Sequence, residues 1–136
     1  MQINDAAYIA GLFDGEGCVT YKQRMRKRGA DKKAYSTWDI RIEINMTDKY
    51  ILRWVHAVLE VGTFGKKPPG KGQLGRKMQY RWRCSFRDAL YVAKLLWPFA
   101  QVKLHKLEQI IDHYEPRAQE LGDNVVDFNQ YRNEKQ

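Results

Sequence analysis

The sequence predicts an α+β domain: one antiparallel sheet with helices on one of its faces. Three observations predict it. Residues 37–46 and 77–86 alternate apolar and polar side chains without interruption, the pattern of half-buried strands. The segments that follow them carry apolar residues at helical spacing. The strands come in two pairs with helices after each pair, an order that favours antiparallel hairpins over parallel crossovers.

Taken in order, residues 5–15 read as a helix, with Asn4 or Asp5 placed to cap its first turn. Residues 18–28 read as a strand with Val19, Tyr21 and Met25 on one face. Thr20, Lys22, Arg24, Arg26 and Arg28 fall on the other, and 28–33 is a turn. In the strand 37–46, Trp38, Ile40, Ile42, Ile44 and Met46 share one face; Thr37, Asp39, Arg41, Glu43 and Asn45 share the other. Thr47 or Asp48 caps a second helix, which carries Tyr50, Ile51, Trp54, Val55, Val58 and Leu59 at helical spacing and which Gly62 ends. Residues 63–67 form a short strand, and Pro68-Pro69-Gly70-Lys71-Gly72 a loop. In 77–86, Tyr80, Trp82, Cys84 and Phe86 oppose Lys77, Gln79, Arg81, Arg83 and Ser85. A third helix covers about 87–96 until Pro98 breaks it. A fourth covers about 101–115, with Val102, Leu107, Ile110, Ile111 and Tyr114 as its buried stripe, until Pro116.

The chain's 136 residues suit one domain, assigned to 1–122, with a polar tail over 123–136. Cys18 and Cys84 lie far apart, in strand-like runs and with no Cys/His cluster near them. Structural zinc is therefore not expected, and both are read as reduced core residues. No apolar stretch approaches the length of a membrane span, and neither a signal peptide nor a membrane partner is expected.

The charge balance points outward. Lys plus Arg number 24 against 16 Asp plus Glu, a formal net charge of +8. A folded domain this basic commonly meets a polyanion. The open sheet face concentrates the charge: Lys22, Arg24, Arg26, Arg28, Arg41, Arg81 and Arg83 share it with only two acids, Asp39 and Glu43. Solvated sheet faces usually mix the two signs. A twisted β-ribbon fits the major groove of DNA, where arginine pairs with guanine and a carboxylate accepts from cytosine. Lys66 and Lys67 extend the same basic region.

The first helix carries a different signal. Ala7, Gly11 and Gly15 recur every four residues and form a small-residue stripe. By spacing alone the stripe suits a second, closely approaching helix or the chain's own sheet equally well. Glu16 ends this helix, beside carbonyls that carry partial negative charge. A carboxylate there is unfavourable unless a hard divalent cation joins it, since carboxylate and carbonyl oxygens are that cation's preferred ligands. Paired helices would bring two such carboxylates together in a site suited to metal-assisted phosphodiester hydrolysis.

The run Ile9-Ala10-Gly11-Leu12-Phe13-Asp14-Gly15-Glu16-Gly17 resembles the nine-residue motif that names the LAGLIDADG homing endonucleases: its glycines and both acids fall in place. The element order matches that family's αββαββα core from about residue 5 to about 115, with an extra C-terminal helix. The resemblance implies a saddle-like four-stranded sheet and a site-specific double-strand DNA endonuclease of intron-homing type. It implies that Glu16 is the catalytic metal ligand, with the Gly15 carbonyl beside it, and that Asp14 orients the helix end. It implies magnesium or manganese as cofactor, calcium as a non-catalytic substitute, and no small-molecule cofactor. Pro98-Phe99-Ala100-Gln101-Val102-Lys103 resembles the step that carries the family's active-site lysine, which makes Lys103 the candidate and Lys106 the alternative. Members commonly place a polar residue at the end of the second strand; the matching position here is Met46, with Asn45 and Thr47 as neighbours that can supply the group. One motif per chain implies a homodimer seamed along Ala7, Gly11 and Gly15, acting on a long, roughly palindromic site. The expected location is cytoplasmic, or organellar or nucleoid for an intron-encoded chain. Two other readings are a non-cutting intron maturase or DNA-binding regulator on this scaffold, and a basic ribosome-associated RNA-binding protein.

Overall fold

The alternation of β2 determines the architecture. In the computed structural model, which describes residues 1–30, 32–69 and 77–115, Ile40, Ile42 and Ile44 are buried on one face while Arg41, Glu43 and Asn45 stay half-buried on the other. The elements are α1 (Ile3–Glu16), β1 (Gly17–Arg26), β2 (Tyr35–Met46), α2 (Lys49–Leu59), β3 (Thr63–Lys67), β4 (Gln79–Ser85), α3 (Arg87–Leu96) and α4 (Leu104–Tyr114). The strands form one antiparallel sheet in the order β1-β2-β4-β3. Ile42 lies opposite Val19 on one side and Cys84 on the other; Ile44 lies opposite Gly17 and Trp82. Slipping β2 by one residue would expose all three isoleucines, at a cost of about 5 kcal/mol or more.

All four helices contact the sheet or one another on the apolar side: α1 on β1 and β2, α2 on β3 and β4, α3 on α1 and β4, and α4 on α3 and β1. Ile9, Ala10 and Phe13 of α1, Trp82 of β4, and Leu107, Ile110 and Ile111 of α4 meet in one core. Trp82 satisfies its indole N–H by donating to the Val61 carbonyl at 3.0 Å. Among the described residues, no helix is long and apolar enough to cross a membrane.

Several local expectations are corrected. The N-cap of α1 is Gln2, and Asp5 lies inside the first turn, accepting the Gln2 N–H at 3.4 Å. Asp48, rather than Thr47, caps α2 and accepts from the N–H groups of Tyr50 and Ile51 at 3.0 and 3.2 Å. That helix ends at Glu60, which adopts φ 62°. Gly62, at φ 86°, serves a close approach instead, because a Cβ there would stand 2.5 Å from the Arg83 carbonyl oxygen. β1 stops at Arg26, so Arg28 lies beyond it, its guanidinium 5.4 Å above the Tyr35 ring. Val102 precedes α4 and is 70% exposed, outside the buried stripe expected of it. Cys84 is a core residue as expected; Cys18 is exposed, since the register puts it on the charged face with Thr20 and Lys22. The expected tail from Asp123, the break at Pro116 and residues 70–72 of the loop lie outside the described residues.

Candidate active site and nucleic-acid interface

The joint between α1 and β1 contains no loop. Glu16 is the last helical residue and Gly17 the first of the strand. Only glycine fits at 17: a Cβ there would stand 2.4 Å from the Phe13 ring and 2.6 Å from the Phe13 carbonyl oxygen. Gly17 lies opposite Ile44, so Glu16 sits at the sheet end that carries Asn45, Arg81 and Arg83. Its carboxylate is exposed, and it has no hydrogen-bond or ion-pair partner among the described residues.

Asp14, two residues from that end, is fully engaged. Its carboxylate accepts the backbone N–H of Gln101 at 2.7 Å and of Lys103 at 3.0 Å. Asp14 therefore fixes the approach to α4 and has little left for a metal, which matches the orienting role expected of it. Lys103 returns across the same gap. Its ammonium donates to the carbonyl oxygens of Asp14 at 3.1 Å and Phe13 at 3.4 Å, a cation on the negative end of α1. The structure thus brings Glu16 and Lys103 to one helix end. Lys106, the alternative, is exposed on α4 and has no such contact among the described residues.

Met46 is not a failed polar helper. Alternation turns it to the helix side, where it packs half-buried against the core opposite Tyr80. Asn45 is the residue of this strand end that faces the charged side. Its Nδ2 donates to Glu43 Oε2 at 3.4 Å, and its Oδ1 has no partner among the described residues.

The register places the basic residues row by row on the open face. Thr20, Arg41 and Ser85 form one row; Cys18, Glu43, Arg83 and Thr63 the next; Asn45, Arg81 and Gly65 the third. Lys22 and Arg24 lie opposite Asp39 and Thr37, and Arg26 opposite Tyr35. Lys67 shares this face, while Lys66, opposite Tyr80, alternates to the helix side and is a correction to the expected set. Arg81 and Arg83 have no partner among the described residues. Sequence alternation found the face but missed its ion pairs: Arg24 with Asp39 at 3.2 Å and Arg41 with Glu43 at 3.1 Å. Both acids of the face are thus occupied by arginines.

The residues of the expected seam are open. Ala7, Gly11 and Gly15 are exposed, and a Cβ added at Gly11 or Gly15 would meet nothing within 4 Å. The stripe does not pack on the chain's own sheet; Ala6, Ile9, Ala10 and Phe13 do that. Tyr8, 54% exposed, meets Trp54 of α2 edge-on at 5.5 Å beside the stripe.

Neither the protein-family models nor the curated proteins give a match to this chain. Solved structures do. The homing endonuclease I-CvuI in complex with its target superposes with a TM-score of 0.65 at 16% identity, covering 81% of this chain and 65% of that one. The archaeal intron-encoded homing endonuclease I-Vdi141I, complexed with DNA, gives 0.61 at 15% identity, covering 80% of this chain and 65% of that one. The LAGLIDADG meganuclease I-AabMI, bound to uncleaved DNA, gives 0.51 at 17% identity, covering 85% of this chain and 40% of that one. This chain spans about two thirds of the I-CvuI and I-Vdi141I chains, or less. At these identities the likeness concerns architecture, and by its architecture this chain has the LAGLIDADG homing endonuclease fold.

Proposed function

We propose that two copies of this chain form a divalent-metal-dependent, site-specific endonuclease that hydrolyses both strands of a long, roughly palindromic DNA duplex. Glu16 carries this reading: an exposed carboxylate with no partner among the described residues, at a helix C-terminus, beside Lys103 and at the end of a cationic sheet face. A carboxylate in that position costs the helix about 0.3–1 kcal/mol and repels phosphate. A protein that only bound nucleic acid would gain from losing it.

The donor chemistry fits a hard cation. Glu16 and the Gly15 carbonyl offer oxygen ligands of the kind magnesium or manganese takes, and calcium would occupy the same site without supporting the reaction. Magnesium-type ions commonly take one or two protein carboxylates and complete their shell with water and substrate phosphate oxygens, which so sparse a donor set allows. When bound, the metal would polarise the scissile phosphate and lower the pKa of a water. Lys103, already held at the helix end, keeps positive charge where phosphate charge develops. Asn45 lies on the charged face at the same sheet end, its amide paired with Glu43. The open seam at Gly11 and Gly15 lets two α1 helices approach closely enough to bring their Glu16 ends together. I-CvuI was solved with its target in the presence of calcium and with another target in the presence of magnesium, where the DNA is not cleaved; a divalent ion in this fold is consistent with both.

The test is cleavage of a randomised duplex library with magnesium and then with chelator. The expected result is a double-strand product that needs the metal and is abolished by Glu16→Gln, with DNA binding retained. Absence of metal-dependent product overturns the reading and leaves a DNA-binding regulator or maturase. Cutting that survives Glu16→Gln overturns the metal assignment alone.

A further inference from the structure

We infer that Glu43 is a positioning residue that sets base specificity through Arg41 and does not itself read a base. This rests on the proposed action on DNA and concerns how the sheet face selects its site.

The two carboxylate oxygens of Glu43 are both taken by protein donors. Oε1 accepts from Arg41 Nε at 3.1 Å, and Oε2 from Asn45 Nδ2 at 3.4 Å. The side chain is 13% exposed. To accept from a cytosine amino group, a carboxylate must turn a free oxygen to the groove. Glu43 is turned along the strand instead.

Arg41 gains what Glu43 gives up. A second contact, from its Nη2 to Thr20 Oγ1 at 3.4 Å, fixes the guanidinium at another point. Two of its five N–H donors are thereby used, and both Nη1 hydrogens remain. Its row neighbours Thr20 and Ser85 are short, so no longer side chain in that row shields the free end of the fork. A planar fork held in one orientation suits bidentate contact with guanine O6 and N7. Arg81 and Arg83, with no partner among the described residues, must surrender more rotamer freedom to make the same contact, which suits them to phosphates.

Charge separates this role from a structural one. Removing Glu43 frees Arg41 and also removes a negative charge from the face. Selectivity should fall while affinity for arbitrary duplex rises, a pairing that loss of fold cannot produce.

The experiment is selection of bound duplexes from a randomised library by the wild-type protein, Arg41→Lys and Glu43→Gln, followed by titration against an unselected duplex. The wild type should enrich guanine at one position of each half-site. Arg41→Lys and Glu43→Gln should both cut that enrichment about tenfold at the same position and leave the others unchanged. Glu43→Gln should bind the unselected duplex more tightly than wild type does. Should Glu43→Gln fail to fold, Glu43→Asp keeps the charge, shortens the arm, and should weaken the same position partially. Loss of a cytosine preference at a different position would identify Glu43 as a base reader and overturn the inference. Unchanged enrichment at the Arg41 position overturns it as well. A wild-type protein that selects no sequence refutes the site-specific reading itself, a result distinct from both.

Discussion

Asp14 and Lys103 hold each other in both directions: the Lys103 backbone N–H donates to the Asp14 carboxylate at 3.0 Å, and the Lys103 ammonium donates to the Asp14 carbonyl at 3.1 Å. The same carboxylate takes the Gln101 N–H at 2.7 Å. Asp14 thus fixes the segment that leads into α4, from another helix, and Lys103 in turn neutralises the end of α1. One clasp joins the element that carries the acid to the element that carries the lysine.

The clasp predicts a divided effect for two variants. Asp14→Asn keeps the shape but sets an amide N–H₂ against one of two backbone donors. It should lower stability by about 1.5–3 kcal/mol and reduce cutting by displacing Lys103. Lys103→Met should cost only about 0.3–1 kcal/mol, the worth of a cation at a helix C-terminus, yet reduce cutting far more. Thermal melts and single-turnover cleavage check the pair. Equal losses of stability, or a Lys103→Met enzyme that cuts normally, would count against this division.

The clasp also shows where sequence reading stops. Alternation made β2 and β4 legible because each buries one face, and the bounds expected for β3 and α3, 63–67 and about 87–96, match those observed. The start of α4 was not legible: Val102 fits helical spacing, but residues 101–103 are tied to Asp14, 89 positions from Lys103, and no local window contains that contact. Cys18 was misplaced because its residue type outweighed its parity in β1. Parity placed Met46 on the apolar face while the family resemblance placed it where a polar helper is common; the coordinates bear out the parity. The alternation of β2 gave the side on which Glu43 lies but not its rotamer, so its pairing with Arg41 needed coordinates.

Gly17 predicts a packing failure. A methyl group there would stand 2.4 Å from the Phe13 ring and 2.6 Å from its carbonyl oxygen, and the helix–strand joint has no spare residue to absorb the strain. Gly17→Ala should destabilise by about 1–3 kcal/mol. Gly15→Ala, with open space at the same helix end, should leave the monomer as stable or stabilise it by up to about 1 kcal/mol through helix propensity. Urea unfolding of the two variants checks the contrast.

Stability should fall on the alkaline side. Burial, and next the charge of Asp88, push the Cys84 thiol from 9.0 up to about 12. Burial, and next Asp112, also raise Tyr21, whose hydroxyl lies 3.1 Å from His113 Nδ1. A raised pKa means that the folded state holds its proton more tightly than the unfolded one does. Each contribution is therefore fully present below the unfolded pKa and is lost as pH rises toward the folded one. Between about pH 9 and 12 the melting temperature should drop, and Tyr21→Phe should flatten the part of that drop above pH 10. Melts at closely spaced pH values check this. A melting temperature that stays level across the window would contradict the assignment.

Gly11 tests the dimer without risking the fold. A Cβ at this position meets nothing within 4 Å in the monomer, so Gly11→Leu should fold, helped slightly by the better helix propensity of leucine. In a closely packed pair of α1 helices the same side chain would hold the backbones apart. Sedimentation should therefore show a folded monomer for Gly11→Leu and a dimer for the wild type. Cutting should be lost even though Glu16, Lys103 and the sheet face are intact, because a single chain brings one carboxylate to the helix end. If Gly11→Leu stays dimeric and cuts, the seam lies elsewhere. The Tyr8–Trp54 contact at 5.5 Å then becomes the next surface to alter, since it lies beside the stripe and Tyr8 is 54% exposed.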